Sequence, residues 1–194
     1  MTTESVLPSV FLMPGRDRRL RAGHPWVYSN EVRMDAAAKA LPPGAVVLLR
    51  RVDGKRLGVG TFNARALIAF RLFAADPKTE VDQDFLARRL GRALALRQRL
   101  YTKPNYRLIH GEADGLPGLV ADRFGDVLVL QLGTAGMEAL LEHLLAAIEA
   151  VLAPSAVVLR GDGGFRALEN LDRSVSVAKG RIEAPVVVHE ADMA

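Results

Sequence analysis

The chain has 194 residues, of which 49% are hydrophobic and 25% are charged, a composition typical of a soluble globular protein. No apolar run approaches the roughly 20 residues that a membrane-spanning helix needs, and the first residues lack the pattern of an export signal. The absence of cysteine excludes disulfide bonds, thiolate metal ligands and a cysteine nucleophile. Together these features predict a cytoplasmic location.

Charge is distributed unevenly along the chain. Residues 1–78 contain 13 lysines and arginines against 6 acidic residues, a net charge of +7, whereas residues 79–194 contain 13 against 16, a net charge of −3. A basic first part joined to a mildly acidic second part indicates nucleic-acid binding through the first.

Arginines and aromatic residues follow one another closely in this basic part. Four arginines fall within the six positions 16–21, and the only tryptophan of the chain, Trp26, comes shortly after them beside Tyr28. Guanidinium groups bind phosphate through forked hydrogen bonds, and aromatic rings stack on unpaired bases, so RNA is the first partner to consider. Alternatively, both aromatic residues belong to the core and the arginines only solvate the surface. We expect a core role for Trp26 and a partner surface for the arginines.

Short strands and tight turns predict a small barrel-like β domain over residues 1–78. A helical turn is expected from Leu20 through residues 26–28, and residues 36–40 are expected to form a connector. An Asp-Gly pair, Asp53 and Gly54, predicts a hairpin. The expected strands are residues 10–13, 45–49, 57–61 and 67–73.

A change to helical periodicity after residues 76–79 predicts a domain boundary. The first helix is expected over residues 84–101, with Asp82 or Asp84 as its cap and Leu100 and Tyr101 among its buried positions. A second helix is predicted over residues 137–152, and residues 161–180 are expected to be turn-like. The expected strands are residues 106–110, 127–132, 156–160 and 185–189. The order strand, helix, strand indicates an α/β unit with a crossover connection.

Basic residues recur along the first predicted helix and just beyond it. Their spacings of four, seven and four residues bring them to a roughly common face. A solvated basic face is the favoured interpretation, and a second RNA-binding surface is the alternative. The residues are Arg88, Arg92, Arg99 and Lys103.

Acidic residues and glycines alternate in a second motif, residues 107–126. His110, Glu112, Asp114 and Asp122 could share one cation, which makes a metal-dependent hydrolase one hypothesis. Asp-Gly and Pro-Gly pairs are, however, ordinary turn sequences in which the carboxylate binds nearby backbone N–H groups, so the turn interpretation is favoured. Residues 161–164 are glycine-rich but lack the lysine of a phosphate-binding loop.

The two motifs together resemble the bacterial 23S ribosomal RNA cytosine-5 methyltransferases that have an N-terminal PUA domain. The resemblance rests on residues 15–17, Leu20, residues 24–29, residues 107–119 and the pair Asp122-Arg123. It implies a PUA domain at residues 1–78, a small β-barrel that binds RNA, and an α/β domain at residues 79–194 that joins it to a catalytic domain. The predicted fold class is therefore α+β.

The resemblance also suggests roles for individual residues. RNA binding is assigned to Arg16, Arg18, Arg19, Arg21, His24, Arg50, Arg51, Lys55 and Arg56. For His24, a structural hydrogen bond to the backbone is the favoured alternative. A structural role is assigned to Trp26, Glu112, Asp114, Gly115, Pro117, Gly118 and Asp122.

The chain departs from the family in one respect. In that family the S-adenosylmethionine-binding domain and the attacking cysteine lie further along, whereas this sequence has neither a cysteine nor a Gly-rich strand-to-helix loop. We therefore expect a truncated, catalytically inactive RNA-binding portion with no cofactor of its own. The alternative is a free-standing PUA-type RNA-binding or ribosome-assembly protein. A homodimer through the apolar residues 186–188 is also considered.

Overall fold

The computed structural model describes residues 7–188. The chain forms two compact units, Met1–Val81 and Asp82–Ala194, and each contains one five-stranded sheet. Within residues 7–188, no helix has the length and apolar character that crossing a membrane requires.

The first unit is a mixed sheet with two short helices. Its strands are β1 (Ser9–Phe11), β2 (Trp26–Val27), β3 (Ala45–Arg50), β4 (Arg56–Phe62) and β5 (Phe70–Ala74), and its helices are α1 (Arg18–Arg21) and α2 (Ala36–Ala40). The strand order is β1-β3-β4-β5-β2. β1 runs parallel to β3, and the other pairs are antiparallel.

Hydrogen bonds beyond the edge strands curl this sheet into a half-barrel. The N–H of Met13 donates to the carbonyl of Glu31 at 2.8 Å, and the N–H of Arg33 donates to the carbonyl of Phe11 at 2.7 Å. These bonds join the end of β1 and the residues just after it to the segment after β2. The curled sheet encloses apolar side chains, which include Val10, Leu12, Val27, Val47, Leu49, Phe62 and Phe70.

The region predicted as a helical turn from Leu20 through residues 26–28 is divided differently. The helix lies earlier, at α1, whereas Trp26 and Val27 pair antiparallel with Arg71 and Phe70. The helical prediction was wrong because β5 offers these β-favouring residues a partner strand. Trp26 is half-buried rather than enclosed in the core.

Two other predictions for the first unit were wrong. Residues 36–40 are helix α2, which begins where the carboxylate of Asp35 accepts the N–H of Ala38 at 2.9 Å. The last strand begins at Phe70 because Asn63 closes a turn by accepting the N–H of Arg65 at 3.0 Å. Leu67 is consequently 71% exposed. The predicted strand at residues 45–49, the strand at residues 57–61 and the hairpin between them are confirmed.

The second unit places its helices beside a mostly antiparallel sheet. Its strands are β6 (Asn105–His110), β7 (Leu119–Phe124), β8 (Val127–Leu132), β9 (Ala156–Gly161) and β10 (Ser174–Lys179), and its helices are α3 (Gln83–Leu100), α4 (Ala135–Ala139) and α5 (Leu141–Leu152). The strand order is β10-β9-β8-β7-β6, and β8 and β9 are parallel. The predicted strand, helix, strand connection is confirmed.

Several details of the second unit were predicted wrongly. The helix over residues 137–152 is two helices that meet at Leu140, and the first begins at Ala135 because Thr134 caps it. Strand β10 lies within the region predicted as turn-like; its valines alternate with small polar residues, and nearly all of it is exposed. Residues 185–188 form no strand, and His189 lies outside the described residues. Leu100 and Tyr101 are exposed rather than buried.

Helix α3 provides a direct test of one local interaction. The carboxylate of Asp82 accepts the N–H of Phe85 at 2.8 Å, whereas Asp84 is an exposed residue of the first turn. Because the cap satisfies a helix N–H that otherwise has no partner, Asp82→Ala should lower the free energy of unfolding by about 1 kcal/mol. Urea unfolding followed by circular dichroism measures this loss. Asp84→Ala is the matched control, and an equal loss in both variants would contradict the capping role.

Candidate nucleic-acid interface

Arg19 is bound within the protein. Its guanidinium donates to the Glu31 carboxylate at 2.6 Å, and its Cζ lies 4.7 Å from the centre of the Tyr28 ring. The same Glu31 oxygen accepts the N–H of Tyr28 at 2.9 Å. The hydrogen bond to Glu31 raises the pKa of Arg19 above its ordinary value. Arg19 therefore connects α1 to the segment after β2.

Asp17 brings two of the predicted residues together from separate segments. Its carboxylate is 3.3 Å from the guanidinium of Arg21 and 3.6 Å from that of Arg51. Arg51 also pairs with Asp53 at 3.0 Å. A cavity of about 100 Å³ opens beside this group. Its lining residues are Leu12, Met13, Pro14, Gly15, Asp17, Arg51 and Val52.

Four of the predicted residues present unneutralised charge. Arg18 is the first residue of α1 and Arg16 lies just before it, whereas Lys55 ends the turn that leads into β4 and Arg56 is the first residue of that strand. All four are exposed and have no acidic partner within residues 7–188. Arg50 differs, since it is half-buried and its Nε has no hydrogen-bond partner in the part of the chain that the structure describes. The free cations of the first unit are thus fewer than its composition suggests.

His24 and Trp26 pack against each other. His24 Nδ1 accepts the N–H of Trp26 at 3.2 Å, and the rings meet edge to face with centroids 5.6 Å apart. The guanidinium of Arg71 lies 5.6 Å from the centre of the Trp26 ring. His24 thus makes the backbone hydrogen bond that was its alternative role. Arg71 was not predicted as a contributor; its position opposite Trp26 follows only from the strand pairing.

In the second motif, Asp114 is the centre of a nearly buried ion pair. Its two carboxylate oxygens each accept a hydrogen bond from Arg97 at 2.7 Å, and one of them also accepts the N–H of His110 at 2.7 Å. The two side chains are only 13% and 9% exposed. Arg97 Nε donates in addition to the carbonyl of Arg107 at 3.2 Å. Sequence analysis missed Arg97, whose partner lies 17 residues away.

A second forked pair holds the two strands that flank the motif. Arg107 on β6 donates to Asp122 on β7 at 2.9 and 3.2 Å, and this hydrogen bonding raises the pKa of Arg107. With Asp114 and Asp122 both bound by arginine, their carboxylates are not arranged to share a cation. No three potential ligands cluster as a metal site would require within residues 7–188.

At two glycines of this motif, neighbouring side chains occupy the space that a Cβ would need. Gly115 has a φ of 73°, and a Cβ there would overlap the guanidinium of Arg89. Gly118 has a φ of 80°, and a Cβ there would overlap Thr134, the cap of α4. Pro117 lies between them. Glycine is required at both positions by backbone conformation and by space.

The glycine-rich segment after β9 is filled by the chain itself. A Cβ on Gly163 would collide with the ring of Phe165. Arg166 is buried and donates to the carbonyl of Leu132 at 2.7 Å and to Glu138 at 2.9 Å. The adjoining cavity measures about 20 Å³, whereas ligand pockets measure roughly 300–1,000 Å³. Neither this segment nor the larger cavity near Asp17 fits S-adenosylmethionine.

Comparison with known proteins first gives the class of the first unit. Residues 10–75 match the family model of the PUA-like domain. This span contains α1, α2 and the sheet from β2 to β5, together with the free cations.

Relatives of the whole chain come next. The chain is 36% identical over 186 residues to Ribosomal RNA large subunit methyltransferase I of Aliivibrio fischeri (strain ATCC 700601 / ES114). That alignment covers 94% of this chain and 46% of the relative. The chain is also 35% identical over 183 residues to the protein of the same name from Shewanella denitrificans, in an alignment that covers 92% of this chain and 46% of that relative. The chain therefore spans a little less than half the length of these relatives.

Solved structures share the fold. A candidate SAM-dependent methyltransferase from Streptococcus mutans aligns with a TM-score of 0.73 at 15% identity, over 92% of this chain and 44% of that one. A candidate methyltransferase complexed with SAH aligns with a TM-score of 0.68 at 14% identity, over 79% and 40%.

The Arg97–Asp114 pair can be tested by removing one partner. Asp114→Ala would leave a nearly buried guanidinium without its counter-ion, so we expect a loss of about 3–5 kcal/mol in the free energy of unfolding. Asp162→Ala, which breaks the exposed pair with Arg160, is the control and should cost about 0–1 kcal/mol. Urea unfolding with and without divalent cations measures both. Stabilisation of the wild-type chain by a cation that Asp114→Ala abolishes would instead favour the metal-site hypothesis.

A comparison of Gly118 and Gly125 separates the cost of backbone strain from the cost of steric overlap. Both have positive φ, but a Cβ on Gly125 would meet no atom within 4 Å. Gly125→Ala should cost about 1–2 kcal/mol from backbone strain alone. Gly118→Ala should cost roughly 1 kcal/mol more because it also displaces the cap of α4. Thermal unfolding of the two variants measures the difference, and equal costs would show that space at Gly118 is unimportant.

Proposed function

We propose that this chain is the RNA-binding portion of an S-adenosylmethionine-dependent ribosomal RNA methyltransferase. The observation that supports this most strongly is the 36% identity, over 94% of the chain, to a relative named for ribosomal RNA methylation. The PUA-like domain at residues 10–75 supports RNA binding as the contribution of the first unit. We further propose that the protein acts in the cytoplasm.

The methylation chemistry is assigned to residues outside this chain. By its motifs the chain resembles enzymes that form 5-methylcytosine in 23S ribosomal RNA, and we propose that product for the complete enzyme. Covalent attack on the pyrimidine ring needs a thiolate, and this chain contains no cysteine. Residues 79–194 are proposed to link the RNA-binding unit to the catalytic domain, which is the role the resemblance implies.

Phosphate binding is assigned first to the exposed cations without acidic partners. These cations can approach a phosphate without first breaking an internal ion pair. They are Arg16 and Arg18 near the start of α1, and Lys55 and Arg56 at the start of β4. Arg21 and Arg51 share Asp17, which partly neutralises them. Arg19 is proposed to support the surface through Glu31 and Tyr28 rather than to bind RNA itself.

The proposal is tested by titrating a ribosomal RNA fragment at several salt concentrations. Each phosphate contact releases counterions, so the double variant Arg16→Gln, Arg18→Gln should bind more weakly and should reduce the slope of log K against log salt by about 1 for each lost contact. The control is Lys39→Gln, Arg65→Gln, which removes the same charge from exposed side chains elsewhere in the first unit. Fluorescence anisotropy measures both quantities.

Three results would count against the proposal. A wild-type chain that does not bind RNA would exclude RNA binding. Equal losses in the two double variants would indicate a general charge effect rather than a site at α1. An unchanged slope in Arg16→Gln, Arg18→Gln would show that these arginines do not contact phosphate.

A further inference from the structure

Two tyrosines of the second unit stack on each other at its surface. Tyr101 follows the last residue of α3, and Tyr106 lies on β6. Their ring centroids are 5.3 Å apart and their planes are inclined by 27°, which is an offset-stacked arrangement. Tyr101 nevertheless remains 51% exposed. Since Tyr106 covers one side of the Tyr101 ring, the exposed area belongs mainly to the other face and the edge.

The ring of Tyr106 is held in place by contacts with a neighbouring strand. Arg123, opposite Tyr106 on β7, donates to the Tyr106 hydroxyl at 3.2 Å, and its guanidinium carbon lies 5.9 Å from the ring centre. Arg123 also donates to the carbonyl of Gly125 at 2.8 Å. Tyr106 is therefore a fixed support for Tyr101.

The helix end that positions Tyr101 is also fixed. The N–H of Tyr101 donates to the carbonyl of Arg97 at 2.8 Å, and the Arg97 side chain is bound to Asp114 and to the carbonyl of Arg107. The stack is thus not needed to attach α3 to β6, because the Arg97 contacts already do so. An exposed aromatic ring on a rigid support loses little conformational entropy when it binds a ligand.

The electrostatic surroundings favour an anionic ligand. Arg99, in the last turn of α3, is exposed and has no acidic partner within residues 7–188. The nearby carboxylates of Asp114 and Asp122 are bound by arginine. An exposed ring that follows an exposed, unpaired guanidinium by two residues suits an unpaired nucleotide, whose base stacks while its phosphate contacts the charge.

We propose that Tyr101, supported by Tyr106, is a stacking site for an unpaired base of the bound RNA, with Arg99 contacting the adjacent phosphate. This inference rests on the proposed RNA-binding function and assigns a second RNA contact, in the second unit. Under this proposal, the basic surface at the end of α3 is a site for single-stranded RNA rather than a solvated face without a ligand.

The test compares a single-stranded RNA of about 12 nucleotides with a duplex of the same length. A stacked base contributes roughly 1–3 kcal/mol, so Tyr101→Ala should weaken single-strand binding about 5- to 150-fold. Tyr101→Phe keeps the ring and should bind like the wild type. Leu100→Ala removes a neighbouring exposed apolar side chain and is the matched control. Duplex binding should be the same in all four proteins, because paired bases are not free to stack.

Crosslinking of the wild-type chain gives a result that does not depend on how the variants fold. A single strand containing 4-thiouridine should crosslink to the peptide that contains Tyr101. If no crosslink forms at that peptide, the site is overturned. The site is also overturned if Tyr101→Ala binds the single strand with wild-type affinity, or if it loses duplex binding as much as single-strand binding. In those cases the proposal that the first unit binds RNA stands. A wild-type chain that binds neither RNA would overturn this site and the proposed function together.

Discussion

The ion pair between Arg97 and Asp114 determines how the second unit is put together. One guanidinium joins helix α3 to the turn after β6 and to the β6 backbone, and the carboxylate also fixes the N–H of His110. A nearly buried pair of this kind must be complete, because either charge alone would be costly in such surroundings. The position of the α3 end, and with it the Tyr101–Tyr106 stack, follows from this contact.

Internal ion pairing also decides which basic residues are free to bind an anion. The basic composition of residues 1–78 indicated a binding surface, but composition does not distinguish a free cation from one bound inside the protein. Arg19 is occupied by Glu31, and Arg21 and Arg51 share Asp17. The Arg19–Glu31 and Arg51–Asp17 pairs join segments that are distant in sequence, whereas Arg21 and Asp17 lie four residues apart. Among the residues predicted to bind RNA, these pairs leave Arg16, Arg18, Lys55 and Arg56 exposed and without an acidic partner in the described part of the chain.

Sequence patterns predicted the elements whose signals are local. The hairpin around Gly54, the long helix α3 and the strand β8 each have the expected apolar period and flanking turn residues. Elements that depend on a distant partner were missed. Trp26 is a strand residue because of β5, β10 is a strand because of β9, and Arg97 is a core ion-pair residue because of Asp114. Burial of Leu100 and Tyr101 was predicted from periodicity, yet α3 packs only as far as the residues before them.

The strand pairing of the first unit has a consequence for the order of folding. Ser9 pairs with Leu48, and Trp26 pairs with Arg71. Both edge strands therefore pair with strands that lie much later in the sequence. Loops of this length must close before these contacts form, which slows folding relative to the local hairpin of β3 and β4. The two strands of this hairpin also precede β5 in the chain, so they can pair before β5 is synthesised. The arginine-rich segment between the two edge strands is therefore held at both ends by strands that pair with later parts of the chain.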